Sequence, residues 1–151
     1  MVVFGSLAKG KTNPQDIDIA LITSQKINEE IPNFHISIIK PEDFVISPPT
    51  LINTLLREGY SLKYNKPFSE RYSYKNKCLF KYDLVSLTPS EKVKIVSYLR
   101  GKGLKKGLIE TTSSEWLANQ VFLSPINAAY IFEEFFMKNK IKFKKHFVLM
   151  H

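Results

Sequence analysis

The start of the chain carries the pattern that most constrains its fold. Val2–Phe4 is a short apolar segment that predicts a strand, and the segment 16–22, where acidic and apolar residues alternate at the start, predicts a second strand. Because side chains alternate along a strand, Asp16 and Asp18 point to one face, with Cα atoms about 6.5–7 Å apart. Carboxylates that converge in this way can bind one or two hard cations such as Mg²⁺, which leaves room for substrate phosphates.

A small-residue turn and a basic loop join the two predicted strands. Gly5 has no Cβ, so the backbone there can approach a phosphate closely. Ser6 begins a short helical turn whose free N–H groups and hydroxyl can bind a phosphate tail, and Lys9 and Lys11 add positive charge nearby. These four residues form the predicted nucleotide-binding set beside the predicted metal ligands. An Asp-x-Asp pair alone would fit two solvated side chains near a loop, and the added Gly-Ser turn favours a site.

The stretch Phe4–Leu21 resembles the signature of the DNA polymerase beta-like nucleotidyltransferase superfamily, and most closely its minimal nucleotidyltransferase branch. In that family a Gly-Ser pair grips the triphosphate and an Asp pair binds Mg²⁺. The segment Pro49–Tyr64 is similar to the family's closing unit, in which a helix ends in Glu-Gly and a last strand ends in an aromatic residue. The resemblance spans Val2–Asn65. It implies a nucleotidyltransferase core over residues 1–65, built from a short mixed sheet with helices on one face.

The chain departs from the family pattern at a third acidic residue, which relatives carry on the next strand. Here that strand is predicted over Asn33–Lys40, and His35 occupies the position where the carboxylate is expected. A neutral imidazole can ligate a metal or accept a proton, although it suits Mg²⁺ less well than a carboxylate does. Glu42 and Asp43 follow shortly after and are the alternatives, although they also fit the first turn of a helix after Pro41. The sequence leaves the choice among these three open.

The resemblance implies an enzyme that moves a nucleoside monophosphate from an NTP to a hydroxyl of a protein, an RNA or a small molecule, with Mg²⁺ or Mn²⁺ as cofactor. Asp16, Asp18 and His35 are the predicted catalytic residues, and a toxin protein is among the acceptors that the resemblance implies. The alternative is a catalytically degenerate member that binds nucleotide or nucleic acid without turnover. A missing ligand weakens activation of the attacking oxygen more than it weakens triphosphate binding.

The composition is that of a small packed protein. Of the 151 residues 44% are hydrophobic, and the single cysteine excludes an internal disulfide and fits a reducing compartment, so we expect a cytoplasmic protein. No apolar run approaches the roughly 20 residues that span a membrane. The formal net charge of +8 attracts polyanions such as triphosphates and nucleic acids. Members of the nucleotidyltransferase family usually carry a helix ahead of the first strand. Where that helix is lacking, one apolar face of the sheet is less covered, and we therefore expect a homodimer.

The segment 66–151 is predicted to be an α+β extension that supplies substrate or partner contacts. Within it, Thr88–Glu91 combines an N-cap, a proline at the first helical position and a capping box, and so predicts the start of a helix. The apolar stripe predicted for that helix consists of Val93, Ile95, Val96 and Leu99.

Two lysine-rich segments of this extension are candidates for contact with phosphate. Gly101–Gly107 combines three glycines with three lysines, and it can cradle phosphate or form a flexible basic turn. Lys140–Leu149 shows strict alternation, with Ile141 and Phe143 predicted inward and the lysines outward. That lysine face is the predicted nucleic-acid contact, and solvation of an edge strand is the alternative.

Overall fold

Helices and strands share the chain in an α+β fold, as the sequence predicts. The computed structural model describes residues 1–25, 27, 31–46 and 49–151. The contacts divide the chain into two compact units, one formed by residues 1–76 with 149–151 and the other by residues 77–148. The sequence prediction places the division after Asn65, whereas residues 66–76 lie with the first unit.

The first unit is built on a mixed sheet of five strands, counted over the described residues. In chain order the strands are β1 (Val2–Phe4), β2 (Ile17–Ile22), β3 (Phe34–Ile39), β4 (Tyr60–Ser61) and β5 (Lys66–Pro67). They lie in the order β3-β2-β1-β4-β5, in which β2 and β3 are parallel and the other neighbours are antiparallel. The predicted short mixed sheet is therefore confirmed.

Short helices accompany this sheet. They are α1 (Gly5–Ala8), α2 (Asp43–Ile46) and α3 (Thr50–Glu58), together with a 3₁₀ helix, Phe68–Tyr72. The longest of them, α3, follows Pro49, whose extended backbone at φ −65° suits the position before a helix. This helix buries Ile52, Leu55 and Glu58, so its inner side ends in a carboxylate.

One face of the sheet carries both the core and the candidate site. The register pairs Val2 with Ala20 and Phe4 with Asp18 across β1 and β2, so these four side chains share a face. The first three belong to the hydrophobic cluster that also contains Leu55 of α3. The helices therefore pack on the face of the sheet that presents Asp18.

Residues 77–148, all of which the structure describes, form most of a second sheet with its helices. In chain order the elements are β6 (Lys75–Asp83), α4 (Pro89–Arg100), β7 (Gly101–Lys102), β8 (Lys105–Lys106), α5 (Leu108–Thr111), β9 (Glu115–Ala118), β10 (Val121–Pro125), α6 (Ala129–Lys138) and β11 (Lys142–Met150). The sheet order is β11-β6-β10-β9, and β7 and β8 pair as a separate hairpin. Without that hairpin and α5, the order of elements is β-α-β-β-α-β, a split β-α-β unit.

The capping prediction for α4 is confirmed. The Thr88 side chain accepts a hydrogen bond from the Glu91 N–H, and the Glu91 carboxylate accepts one from the Thr88 N–H at 2.8 Å. Pro89 is the first helical residue, and the helix ends at Gly101, whose φ is +86°. The start of this helix is therefore set by local chemistry, as the sequence predicts, and a glycine ends it.

The apolar stripe predicted for α4 is correct only in part. Ile95 and Leu99 are buried, whereas Val93 is 68% exposed. At 3.6 residues per turn, Val93 lies about 160° around the helix from Ile95, so one side of the helix cannot bury both. The prediction for Val93 is wrong, and that residue faces solvent.

Aromatic side chains fill the core of the second unit. The fully buried rings belong to Phe80, Phe122, Phe132 and Phe136. The Phe143 ring of β11 packs against this cluster, with its centroid 5.2 Å from that of Phe136. Ile141 is buried, and Lys140, Lys142 and Lys144 are exposed. The alternation predicted for the last strand is therefore confirmed.

Candidate functional site

The turn between β1 and α1 brings the backbone against an aspartate of the neighbouring strand. Gly5 adopts φ +72°, a conformation that favours glycine. A Cβ at this position would lie 2.1 Å from Asp18 Oδ2, so a side chain cannot fit without displacing the carboxylate. Conformation and space both require glycine here. The lack of a side chain lets the Asp18 carboxylate lie directly against the turn at the start of α1.

Asp18 occupies the centre of this arrangement because it has a partner on each neighbouring strand. It lies opposite Phe4 on β1 and opposite His35 on β3. The Asp18 side chain is 23% exposed, and its Oδ1 lies 3.2 Å from His35 Nδ1. When Nδ1 carries the proton, the imidazole donates to the carboxylate, and Nε2 is then its acceptor nitrogen.

Three residues are candidates for the missing acidic position. Of these, His35 is the one that lies next to Asp18. The Asp43 carboxylate instead accepts a hydrogen bond from the Lys40 N–H at 3.2 Å, within the turn that leads into α2. Glu42 is exposed just before that helix. The register of β3 against β2 thus distinguishes alternatives that the sequence left open.

Asp16 lies just outside the regular strand. Strand β2 begins at Ile17, and Asp16 sits in the preceding bend, exposed to solvent. The alternation of side chains along a strand therefore fixes the side on which Asp18 lies, and it does not extend to Asp16. No three His, Cys, Asp or Glu side chains come together as metal ligands in the described part of the chain.

The donor chemistry fits a hard divalent cation. Mg²⁺ in phosphoryl-transfer sites is held by one or two carboxylates, and substrate phosphates and waters complete its coordination. Asp16 and Asp18 are the carboxylates that would hold it, and Asp18 lies against the turn at Gly5. The imidazole of His35 adds a nitrogen, a ligand that Mg²⁺ favours less than oxygen.

The predicted phosphate-binding residues cluster on and after α1. Ser6 is half-buried in its first turn, where a helix leaves its N–H groups without intrahelical acceptors. The Lys11 N–H donates to the Ser6 carbonyl at 3.1 Å, which folds the basic loop back onto the turn. The loop therefore keeps Lys11 close to Ser6 in the fold as well as in the sequence.

Lys9 makes a contact that sequence reasoning missed. Its Nζ lies 3.8 Å from Oε1 of Glu58, whose side chain is 4% exposed at the end of α3. Arg57 Nε lies 3.8 Å from the other Glu58 oxygen. A buried carboxylate needs opposite charge nearby, so Glu58 ties the end of α1 to the end of α3. The Glu-Gly that closes the predicted helix was the signal available in the sequence.

Fold and site together define an α+β protein in which a Gly-Ser turn packs against a strand that carries an aspartate. No family model, curated protein or solved structure matches the chain. None of the helices in residues 1–25, 27, 31–46 and 49–151 has the length and apolar character that crossing a membrane requires.

Proposed function

We propose that the protein is a nucleotidyltransferase that moves a nucleoside monophosphate from an NTP to a hydroxyl of a protein, an RNA or a small molecule, with Mg²⁺ or Mn²⁺ as cofactor. The observation that carries the proposal is the approach of the Gly5 backbone to the Asp18 carboxylate, with Ser6 at the next position. In this proposal the turn binds the phosphates and the neighbouring carboxylate binds the cation. A nucleoside triphosphate with its metal requires both.

In the proposed reaction the acceptor oxygen forms a bond to the α-phosphorus, and the bond between that phosphorus and the bridging oxygen to the β-phosphate breaks. Pyrophosphate leaves, and the hydroxyl proton passes to a base. His35 is the candidate base, because Asp18 can hold its Nδ1 proton and leave Nε2 to accept another. Gly5 and Ser6 bind the triphosphate in this scheme.

Charge around the turn supports binding of the triphosphate. Lys11 adds a positive charge near the phosphates. Lys9 and Arg57 share the single carboxylate of Glu58, so that cluster keeps one net positive charge. When bound to Asp16 and Asp18, the divalent cation supplies Lewis-acid stabilisation of the phosphate oxygens.

The test is transfer of label from α-³²P-labelled ATP, GTP, CTP and UTP, with Mg²⁺ or Mn²⁺ and a cell lysate as the source of acceptors. Electrophoresis then separates labelled protein from labelled RNA. Asp18→Asn is expected to lower the rate about 100-fold or more, since a metal site contributes several kcal/mol to such reactions. Asp43→Asn is the matched control, because the Asp43 carboxylate is engaged in its own turn. Equal activity of Asp18→Asn and wild type would refute the proposed site.

A second candidate function is nucleotide binding without turnover, and the pairing of His35 with Asp18 favours it. In this case no NTP labels an acceptor, and an NTP with Mg²⁺ still raises the melting temperature of the wild-type protein. His35→Asp then restores the acidic residue of the family pattern and is expected to give measurable transfer. A variant that binds nucleotide and still transfers nothing would point to a loss that lies elsewhere in the site.

A further inference from the structure

A groove on the second unit combines positive charge with an exposed aromatic ring. It has a volume of about 590 Å³ and runs between one side of α4, the hairpin β7–β8 and α5. The side chains of α4 that line it are Val93, Lys94, Ser97 and Tyr98. A volume of this size is typical of sites that enclose a ligand of several rings or groups.

Lysine dominates the lining of this groove. Lys94, Lys102, Lys105 and Lys106 line it, and none of the acidic residues that the structure describes does. Lys106 pairs with Glu110 at 2.8 Å, whereas Lys102 and Lys105 form no ion pair with any residue that the structure describes. Two cations of the hairpin are therefore available to an anionic ligand.

An aromatic ring stands at one end of the groove in a fixed orientation. Tyr98 is 55% exposed, and its ring stacks on Phe135 of α6 with centroids 4.8 Å apart and planes 11° from parallel. Tyr98 and Leu108 also line a second cleft of about 640 Å³, which continues along α6 to Lys138. A ring held by a stacking partner loses little conformational freedom when a further planar group packs on it.

We propose that this groove binds single-stranded nucleic acid, with the hairpin lysines on the phosphates and Tyr98 stacked against a base. Alternating positive charge and stacking platforms are what single strands require. The groove lysines would also attract an acidic peptide, but such a peptide would have no planar group to stack on the exposed Tyr98 ring. Lysine holds phosphate as a point charge, and the groove is lined by no arginine that could read a base edge in a bidentate manner. We therefore expect little sequence preference.

The proposal does not rest on the transferase function. The groove lies entirely in the second unit, whereas Asp18 lies in the first. Asp18→Asn is accordingly expected to bind a single strand as the wild-type chain does. Failure of nucleotidyl transfer and failure of groove binding are thus separate results.

The test is fluorescence anisotropy with a labelled 12-mer of oligo-U RNA and its oligo-dT counterpart, over a range of salt concentrations. With three or four phosphates neutralised, log K is expected to fall against log [salt] with a slope of about −2 to −3. The double variant Lys102→Gln with Lys105→Gln should weaken binding and reduce the magnitude of that slope by about 1.4. Lys40→Gln with Lys63→Gln is the matched control, since it removes the same charge from exposed lysines of the first unit.

Two further variants separate stacking from charge. Tyr98→Leu keeps an apolar side chain on Phe135 and removes the stacking ring, so it is expected to weaken binding about 5- to 150-fold. Tyr98→Phe keeps the ring and should bind as the wild-type protein does. Circular dichroism checks that each variant is folded.

Three results would overturn the proposal. The first is an equal loss in both lysine double variants, which would show that binding follows net charge and not the groove. The second is unchanged binding by Tyr98→Leu, which would remove the ring from the site. The third is competition by poly-glutamate as effective as that by oligo-U at equal charge, which would identify an acidic peptide as the better ligand.

Discussion

Gly5→Ala tests whether the turn after β1 approaches Asp18 as closely as the structure indicates. The position has φ +72°, where an L side chain is strained, and an added Cβ would lie 2.1 Å from Asp18 Oδ2. The substitution therefore carries a backbone penalty and a steric penalty. The two can be separated, because the chain offers a second glycine that carries only one of them.

The magnitude follows from adding these penalties. The left-handed conformation costs about 1–2 kcal/mol for alanine, and lower entropy of the unfolded chain offsets about 0.4–1 kcal/mol of it. Displacing the Asp18 carboxylate adds about 0.5–1.5 kcal/mol for an unfavourable rotamer, and about 0.5–1 kcal/mol for the lost hydrogen bond to His35. We expect Gly5→Ala to lower the free energy of unfolding of the first unit by about 2.5 kcal/mol, within a range of about 1–4 kcal/mol.

Gly103→Ala is the matched control. Gly103 has φ +60°, and a Cβ there would meet nothing within 4 Å, so only the backbone penalty of about 1 kcal/mol applies. Urea unfolding followed by the fluorescence of Trp116, the single tryptophan, reports on the second unit. Hydrogen exchange measured by mass spectrometry on peptides from residues 2–22 reports on the first.

The result that would refute the reasoning is a Gly5→Ala effect no larger than that of Gly103→Ala. A double variant locates the cause. The Asp18 Cβ lies 3.4 Å from the position of the added atom, an ordinary contact, so Asp18→Ala makes room for it. In the Asp18→Ala background, Gly5→Ala is expected to lose its excess effect and retain only the backbone penalty. An unchanged excess would mean that the added atom meets something other than the carboxylate.

Two further predictions concern the second unit. Thr88→Ala removes the N-cap of α4 and should lower the free energy of unfolding in urea by about 1 kcal/mol. The Thr88 hydroxyl is also the main cause of the lowered pKa of Glu91, so that pKa should rise in the variant. The contribution of Glu91 to stability is present above pH 4.5 and is lost as the pH falls through its lowered pKa, and NMR titration of its carboxyl measures this. Burial raises the pKa of Tyr82 above 10.0 and the Arg100 charge partly opposes this, so Arg100→Met should raise that pKa further in an absorbance titration. A lower pKa of Tyr82 in this variant would contradict the assigned cause. The stability that Tyr82 contributes should be lost as the pH rises through its raised pKa.

The sequence predicted those features whose causes are local. The start of α4 depends on Thr88, Pro89 and Glu91, which are close neighbours in the chain, and the structure confirms it. Strand alternation likewise placed Ile141 and Phe143 inward. In each case the chemistry of a few consecutive residues determines the outcome, and distant parts of the chain contribute little.

Features that depend on pairing between distant segments could not be predicted. Which acidic or imidazole side chain meets Asp18 depends on the register of β3 against β2, and a shift of one residue would present the opposite face. The contact between Lys9 and Glu58 joins elements almost fifty positions apart in the chain. Val93 is a different case, because the error there is local. The helical period alone places Val93 almost opposite Ile95, so the sequence was enough to predict its exposure.

In the proposed site, His35 at the acidic position affects nucleotide binding and catalytic turnover in different ways. Beside Asp18, an imidazole is neutral or positive, so it repels a triphosphate less than a third carboxylate would. It also offers a cation one nitrogen in place of two oxygens. Both effects favour nucleotide binding over metal-assisted attack on the α-phosphorus. The same imidazole contacts Asp18 through Nδ1 and leaves Nε2 to accept a proton, so the residue that weakens the metal site is also a candidate base. We therefore expect slow transfer with firm nucleotide binding, a behaviour that lies between the two functions proposed above.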